Sequence, residues 1–241
     1  MVKMMSRKVL VVGSGISGVA ATELLKKQGD EVILFDGNPK LDVQALREKH
    51  PVFKDVEIIL GGLPEEKMSA FDLVVLSPGV PTDIPMVCAL REKHIPIWGE
   101  IELAYQCAKG SVIAITGTNG KTTTTALVGQ IMENYFSDVK VVGNIGIPYT
   151  SVAAETTEET VTVAEISSFQ LETIHEFHPK VSAILNITPD HLNRHHTMEC
   201  YIKTKERIAE NQTADDTCVL NYEDEVLREF GSHLKTKVLY F

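Results

Sequence analysis

The chain has 241 residues, room for about two compact units at roughly 150 residues per domain. Hydrophobic residues make up 44% and charged residues 23%, which excludes wholesale disorder and a coiled coil. With 23 basic against 33 acidic side chains the net charge is −10, so nucleic acid is a poor partner, and any bound phosphate must be held by backbone N–H groups, single lysines or metal ions.

Cys88, Cys107, Cys200 and Cys218 stand far apart, with no Cys-x-x-Cys pair. That spacing is neither a zinc site nor a disulfide framework, and it fits a reducing, cytoplasmic setting. Lys3, Arg7 and Lys8 ahead of an apolar stretch imitate a secretion signal, but Gly13, Gly15 and Gly18 interrupt it. No run reaches the ~18 uninterrupted apolar residues of a membrane span, so no membrane partner is expected.

Apolar runs at 8–12, 31–35, 56–60, 73–76 and 95–98 alternate with helix-compatible stretches such as 17–28 and 86–93. Strands alternating with helices predict a parallel sheet covered on both faces. After the first run comes Gly13-Ser14-Gly15-Ile16-Ser17-Gly18, and Asp36 ends the next strand. This is the spacing of a dinucleotide-binding turn, whose glycines let a diphosphate approach the helix N-terminus, while Asp36 could accept from a ribose or base. The motif alone is weak. A tight turn without ligand stays open, and a nicotinamide cofactor is one option among nucleotide diphosphates.

A second series of runs lies at 112–116, 139–142, 160–164, 181–187, 217–221 and 237–241, with helices at 122–134 and 198–211. A boundary near 99–110 divides the chain into domains 1–98 and 99–241. The fold class is α/β: a Rossmann-like amino-terminal domain followed by a P-loop NTPase-like parallel-sheet domain. Because the chain stops inside Val238-Leu239-Tyr240-Phe241, a fragment with an incomplete second domain is expected.

The strongest motif follows the run at 112–116: Gly117-Thr118-Asn119-Gly120-Lys121-Thr122-Thr123. Gly-Lys-Thr between a buried strand and a helix is a phosphate-binding loop. Its N–H groups cradle phosphates, Lys121 reaches the β/γ oxygens, and the Thr122 hydroxyl binds Mg²⁺. It departs from the usual spacing, with Ile115 where a glycine stands in the common pattern. Mg²⁺ needs further hard oxygens. Glu165, at the carboxyl end of a strand, is the candidate, with Ser167 and Gln170 at the same edge. A solvated glutamate is the alternative. His191, after the run at 181–187, is a second metal ligand, a phosphate contact or a surface histidine. Arg194, His195 and His196 read as a polar loop without a role.

On the helix around 198–211, Tyr201, Ile202, Ile208 and Ala209 share an arc centred on Lys205. An interior lysine must be paired or lose its charge. Reaction with CO₂ would make it a carbamate, an anionic ligand for a second Mg²⁺. From the pattern alone a snorkelling lysine is preferred.

In this order the phosphate loop, Gly143-Asn144-Ile145-Gly146, Glu165-Ile166-Ser167-Ser168-Phe169-Gln170-Leu171, Asp190-His191 and Tyr201…Lys205 resemble the ATP-dependent Mur ligases of peptidoglycan synthesis. The resemblance covers essentially the whole chain. It is nearest the branch that adds D-glutamate to UDP-N-acetylmuramoyl-L-alanine. It implies that the first domain holds the uridine nucleotide, with Ser14, Gly15, Ile16 and Ser17 near the diphosphate, and Asp36 with Ser77, Pro78 and Gly79 near the uracil end. It further implies that Asn144, Ser167 and Gln170 meet substrate, that Gly117 to Thr123 bind ATP, and that Thr122 and Glu165 hold one Mg²⁺. His191 and a carbamylated Lys205 would hold a second ion. Lys121, His191 and Lys205 would be catalytic in forming an amide through an acyl phosphate. The implied protein is a monomer, and the family's third domain is missing from the sequence. Asn193 stands where the family often has an acidic residue. The alternatives are a Mur-type ligase adding another amino acid, and a nicotinamide-binding regulatory module fused to a P-loop ATPase.

Overall fold

The computed structural model describes residues 6–144 and 146–241; Lys3 of the signal-like stretch and Ile145 of the Gly143-Asn144-Ile145-Gly146 segment lie outside the described residues. The first unit runs β1 (Lys8–Val12), α1 (Ile16–Gln28), β2 (Glu31–Asp36), α2 (Val43–Lys49), β3 (Glu57–Leu60), α3 (Glu65–Met68), β4 (Leu73–Leu76), α4 (Pro85–Glu92) and β5 (Ile97–Gly99). Its strands lie in the order β3-β2-β1-β4-β5 and pair in parallel. The four residues Leu73–Leu76 of β4 are all buried, the pattern of a strand covered on both faces. The strand order reverses between β1 and β4, which opens a crevice at their carboxyl ends.

α5 (Glu100–Cys107) leads into the second unit. Beyond it come β6 (Ser111–Thr116), α6 (Lys121–Glu133), β7 (Val139–Gly143), β8 (Val161–Glu165), α7 (Ser168–Leu171), β9 (Val181–Ile184), α8 (Leu192–His195), α9 (Met198–Glu206), β10 (Thr217–Leu220), α10 (Glu225–His233) and β11 (Lys237–Tyr240). This sheet has the order β11-β10-β9-β6-β8-β7 and is also parallel among the described residues. The phosphate-loop strand β6 lies between β8 and β9, so the loops leaving these three strands meet at one edge. The fold is α/β, a Rossmann-like unit followed by a P-loop NTPase-like one.

Some element limits differ from the sequence reading. The run at 181–187 is strand only to Ile184, because beyond Leu185 the chain leaves the ladder: Asn186 and Thr188 bond the phosphate loop, and Ile187 N donates to Asp224 Oδ2. β8 extends to Glu165, which carries that carboxylate into the sheet interior. The helix at 198–211 is α9 with a tightened 3₁₀ turn, Arg207–Ala209.

One apolar cluster runs through both sheets. Val11, Leu24 and Val75 join through Ile101, Leu103 and Ala104 of α5 to Val112, Ala164 and Ile184. α5 also sends two carboxylates into the second unit. Glu100 Oε1 accepts from Thr150 N (2.7 Å) and Thr150 Oγ1 (2.9 Å). Glu102 accepts from the backbone N–H groups of His175, Glu176 and Phe177 at 2.8–3.2 Å. Burial pushes the Glu100 carboxyl up, against the hydrogen bonds from Thr150, Gln170 and Tyr149. Among the described residues no helix is long and apolar enough to cross a membrane.

Candidate nucleotide and metal site

The glycine turn closes the amino end of α1. A Cβ on Gly18 would lie 1.9 Å from the Gly13 carbonyl oxygen, so only glycine lets the helix start this close to β1. Asp36 secures the turn. Its Oδ2 accepts from Ser14 N (3.1 Å) and Ser14 Oγ (2.6 Å), and its Oδ1 from Asn38 N (2.9 Å). Burial opposes ionisation of Asp36, but these three bonds outweigh it and leave the pKa lowered. The Ser14 hydroxyl is therefore turned toward Asp36.

Gly15, Ile16 and Ser17 face Ser77, Pro78 and Gly79 across a cleft of ≈ 420 Å³, and Asn144 and Gln170 of the second unit line its other wall. Of the eleven residues that the sequence reading assigned to one substrate these eight line the cleft from both units, and Ser14, Asp36 and Ser167 do not. Ile16 is 78% exposed there, and the buried Ser77 hydroxyl has no partner among the described residues. Ser167 and Gln170 form a capping box at the start of α7, and the Gln170 amide also points to Glu100 Oε2 at 3.5 Å.

The phosphate loop is held from the β9 side. Thr118 N donates to Asn186 O (2.9 Å), Asn119 N to Asn186 Oδ1 (2.8 Å), and Asn186 Nδ2 to Asn119 O (3.0 Å). Asn186 was absent from the sequence reading. The available signal was the one used for Glu165, a polar residue just past an apolar strand at the carboxyl edge. Gly120, at φ 83°, caps α6 and exposes Thr122 and Thr123 beyond it. Lys121 folds back over the loop, its Nζ donating to Gly117 O (3.0 Å) and Thr118 O (2.9 Å).

Glu165 is 1% exposed, which excludes the solvated alternative. Thr122 Oγ1 donates to its Oε2 (2.9 Å) and Asn144 Nδ2 to its Oε1 (2.8 Å). Among the described residues no cation is paired with it. A buried carboxylate with only neutral partners is costly, and a divalent ion between it and Thr122 would relieve that cost. Among the described residues no three His, Cys, Asp or Glu groups cluster as a ready metal cage. The hard oxygens of Thr122 and Glu165 are of the kind Mg²⁺ takes beside waters and substrate oxygens.

His191 begins α8 with a left-handed backbone, φ 52°. Its side chain is half exposed, with Nε2 3.4 Å from Asp190 Oδ2 and the ring centroid 4.9 Å from that of Phe169. Lys205 is 1% exposed, so it does not snorkel. Its Nζ donates to Gly117 O (2.8 Å) and lies 4.9 Å from the Tyr201 ring centroid. Burial, and then the charge of Lys121, lower the Lys205 amine to about 7, with Asp190 opposing. Tyr201 OH meets Thr118 Oγ1 at 3.1 Å, which joins α9 to the phosphate loop.

The loop read as polar and without role is structured. His195 is 4% exposed, with Nε2 2.9 Å from Ser168 Oγ. Burial lowers its pKa, Glu172 opposes, and the charges of Arg194, His191 and Lys205 add to the lowering. Arg194 pairs with Glu172. No spacing in the sequence marked Glu172, Glu100 or Glu102, since acids at the first turn of a helix or just past one are usually solvated.

Comparison with known proteins bears on this arrangement. The family model "Mur ligase middle domain" matches residues 115–241, and "Mur ligase MurD-like, N-terminal domain" matches 7–99. The chain belongs to the Mur ligase family. A relative from Lachnospira eligens, named UDP-N-acetylmuramoylalanine--D-glutamate ligase, is 61% identical over 98% of this Mur ligase chain and 52% of its own length. One of the same name from Lachnoclostridium phytofermentans is 56% identical over the same shares. The chain spans about half the length of these curated relatives. The fold is shared with a solved UDP-N-acetylmuramate:L-alanyl-gamma-D-glutamyl-meso-diaminopimelate ligase from Neisseria meningitides, at TM-score 0.61 and 14% identity, over 98% of this chain and 78% of that one. It is also shared with a MurF ligase from Thermotoga maritima solved in complex with ADP, at TM-score 0.50 and 18% identity, over 98% and 48%.

Proposed function

We propose that this chain forms the two nucleotide-binding units of a ligase that joins D-glutamate to UDP-N-acetylmuramoyl-L-alanine at the expense of ATP. The observation that carries the reading is the cleft of ≈ 420 Å³, walled by the glycine turn on one side and by Asn144 and Gln170 on the other. Asn144 also bonds Glu165, whose other oxygen takes Thr122 of the phosphate loop, so the two candidate ligand sites share one carboxylate. The names of the relatives at 61% and 56% identity support the choice of substrates.

In this reading residues 1–98 hold the UDP-sugar, with Ser14 to Ser17 at the diphosphate and Asp36 with Ser77 to Gly79 toward the uracil. Residues 99–241 hold ATP, and a third, amino-acid-binding domain belongs to the longer protein. Thr122 and Glu165 would hold one Mg²⁺, and His191 with a carbamylated Lys205 a second. The ions would supply positive charge at the transferring phosphoryl group. With its amine lowered to about 7, Lys205 has a neutral fraction at physiological pH that can add to CO₂.

The chain's own residues have separable tasks. The loop N–H groups of Gly120 and Lys121, which unlike those of Thr118 and Asn119 do not donate to Asn186, and the Lys121 ammonium stabilise negative charge on the β and γ oxygens. Lys121 would move from the Gly117 and Thr118 carbonyls onto phosphate. Asn144 and Gln170 orient the sugar-linked acid so that its carboxylate oxygen faces the γ-phosphorus. Attack there breaks the bond to ADP and forms an acyl phosphate. The amine of D-glutamate then attacks the acyl carbon, phosphate departs, and the amine gives up a proton.

Calorimetric titration of this chain with UDP-N-acetylmuramoyl-L-alanine, UDP and NAD tests the reading. The muramoyl compound should bind most tightly. Tighter binding of NAD would replace this reading with the nicotinamide alternative.

A further inference from the structure

We propose that Arg194 is a positioning residue whose guanidinium ties the 77–80 turn of the first unit to the loop carrying His191, and so sets the width of the cleft between the units. The inference rests on the cleft being a UDP-sugar site.

Arg194 Nη2 donates to Val80 O (2.9 Å) in the first unit. The same guanidinium grips Glu172 through Nε to Oε1 (3.2 Å) and Nη2 to Oε2 (2.6 Å), and lies 4.9 Å from the Phe169 ring centroid. Glu172 Oε2 also accepts from Thr82 Oγ1 (3.2 Å), again in the first unit. The two charged side chains are only 11% and 12% exposed, so water competes weakly for these bonds.

Three segments meet at this point. Val80 N donates to Ser77 O (2.9 Å) and closes the turn whose Ser77, Pro78 and Gly79 line the cleft. Glu172 directly follows α7, which brings Gln170 to the opposite wall. Arg194 N donates to His191 O (2.9 Å), holding the left-handed start of α8. A planar fork serves a carboxylate and a carbonyl together, which a lysine ammonium cannot do in the same geometry.

A hydrolytic triad is excluded at the neighbouring Ser168, His195 and Glu172. Ser168 is 3% exposed, and His195 Nδ1 stands 3.6 Å from a Glu172 oxygen that Arg194 already takes.

The test uses Arg194→Lys, with Thr82→Val as a milder second variant, in this chain. Calorimetry with UDP-N-acetylmuramoyl-L-alanine, UDP and MgADP should show about a 10-fold loss for the muramoyl compound in Arg194→Lys, a smaller loss for UDP, and less than about a twofold change for MgADP. Thr82→Val should give a smaller loss in the same direction. Equal losses for all three ligands, or no loss, would overturn the proposal. Amide hydrogen exchange reads the clasp without any ligand: Val80 and His195 should exchange about 10-fold faster in Arg194→Lys while α6 stays unchanged. Unchanged exchange at Val80 also overturns it. A wild-type chain that does not prefer the muramoyl compound over UDP defeats the reading of the site, and exchange then decides the clasp alone.

Discussion

The Lys205 amine lies 2.8 Å from the carbonyl oxygen of Gly117, the first residue of the phosphate loop. A side chain from α9 is thus fixed to the loop that leaves β6. Thr116 Oγ1 stands 3.4 Å away, and among the described residues no carboxylate is paired with the amine. The pair joins α9 to the phosphate loop.

That environment predicts a pH dependence. The amine falls from its ordinary 10.5 to about 7 in the folded state. Between those values the unfolded chain holds more protons, so this group makes stability rise with pH across the window, and its penalty is fully present below about 7. In CO₂-free buffer, Lys205→Met should be more stable than wild type at pH 7 by on the order of 3 kcal/mol, with the gap closing toward pH 10. Urea unfolding at both pH values measures it. A gap that does not change with pH would contradict the buried neutral amine.

Removing the phosphate-loop charge should separate the two nucleotide sites. Lys121→Ala is expected to weaken ADP binding about 100-fold or more while UDP binding stays within about twofold. Both are read by calorimetry, and equal losses would refute two distinct sites.

Glu165→Gln keeps the size and removes the charge opposite Thr122. It should abolish the Mg²⁺-dependent part of ADP affinity, about 10- to 100-fold, and leave binding in EDTA unchanged. An EDTA-insensitive loss would mean that Glu165 acts on the nucleotide rather than on a cation.

Glu102 holds three consecutive amides of the 175–177 segment. Glu102→Ala removes the acceptor these amides share, of which only that of Phe177 lies in a buried residue, and should cost about 1–3 kcal/mol. The urea midpoint measures this, and a loss below about 1 kcal/mol would show that water replaces the carboxylate.

Gly18→Ala tests the glycine turn. Its methyl would meet the Gly13 carbonyl at 1.9 Å, so α1 must shift away from β1. UDP binding should be lost, and the melting temperature should fall. Retained UDP affinity would place the ligand elsewhere.

Much of this architecture is legible in the sequence because it rests on local rules. Apolar runs of four to six residues became strands within a residue or two of their expected limits, since parallel strands buried on both faces need little else. The phosphate loop and the glycine turn are contiguous, so their spacing reveals them. What escaped depends on segments far apart in the chain. Asn186 acquires its task only when β9 comes to lie beside β6, and Arg194 only when Val80, 114 positions earlier, turns its carbonyl inward. Lys205 was ambiguous for a related reason. A helical arc shows which way a side chain points, but its 1% exposure depends on the loop that covers it.

α5 has a practical consequence. Ile101, Leu103 and Ala104 belong to the apolar cluster that spans both sheets, while Glu100 and Glu102 tie the same helix to the second unit. A piece cut after Gly99 would keep the first five strands yet show a greasy scar to solvent, and a piece begun at Ser111 would leave the amides at 175–177 begging for an acceptor. Neither half can be excised, swapped or grafted without carrying those eight residues along, so engineering of this scaffold has to treat the helix as common property.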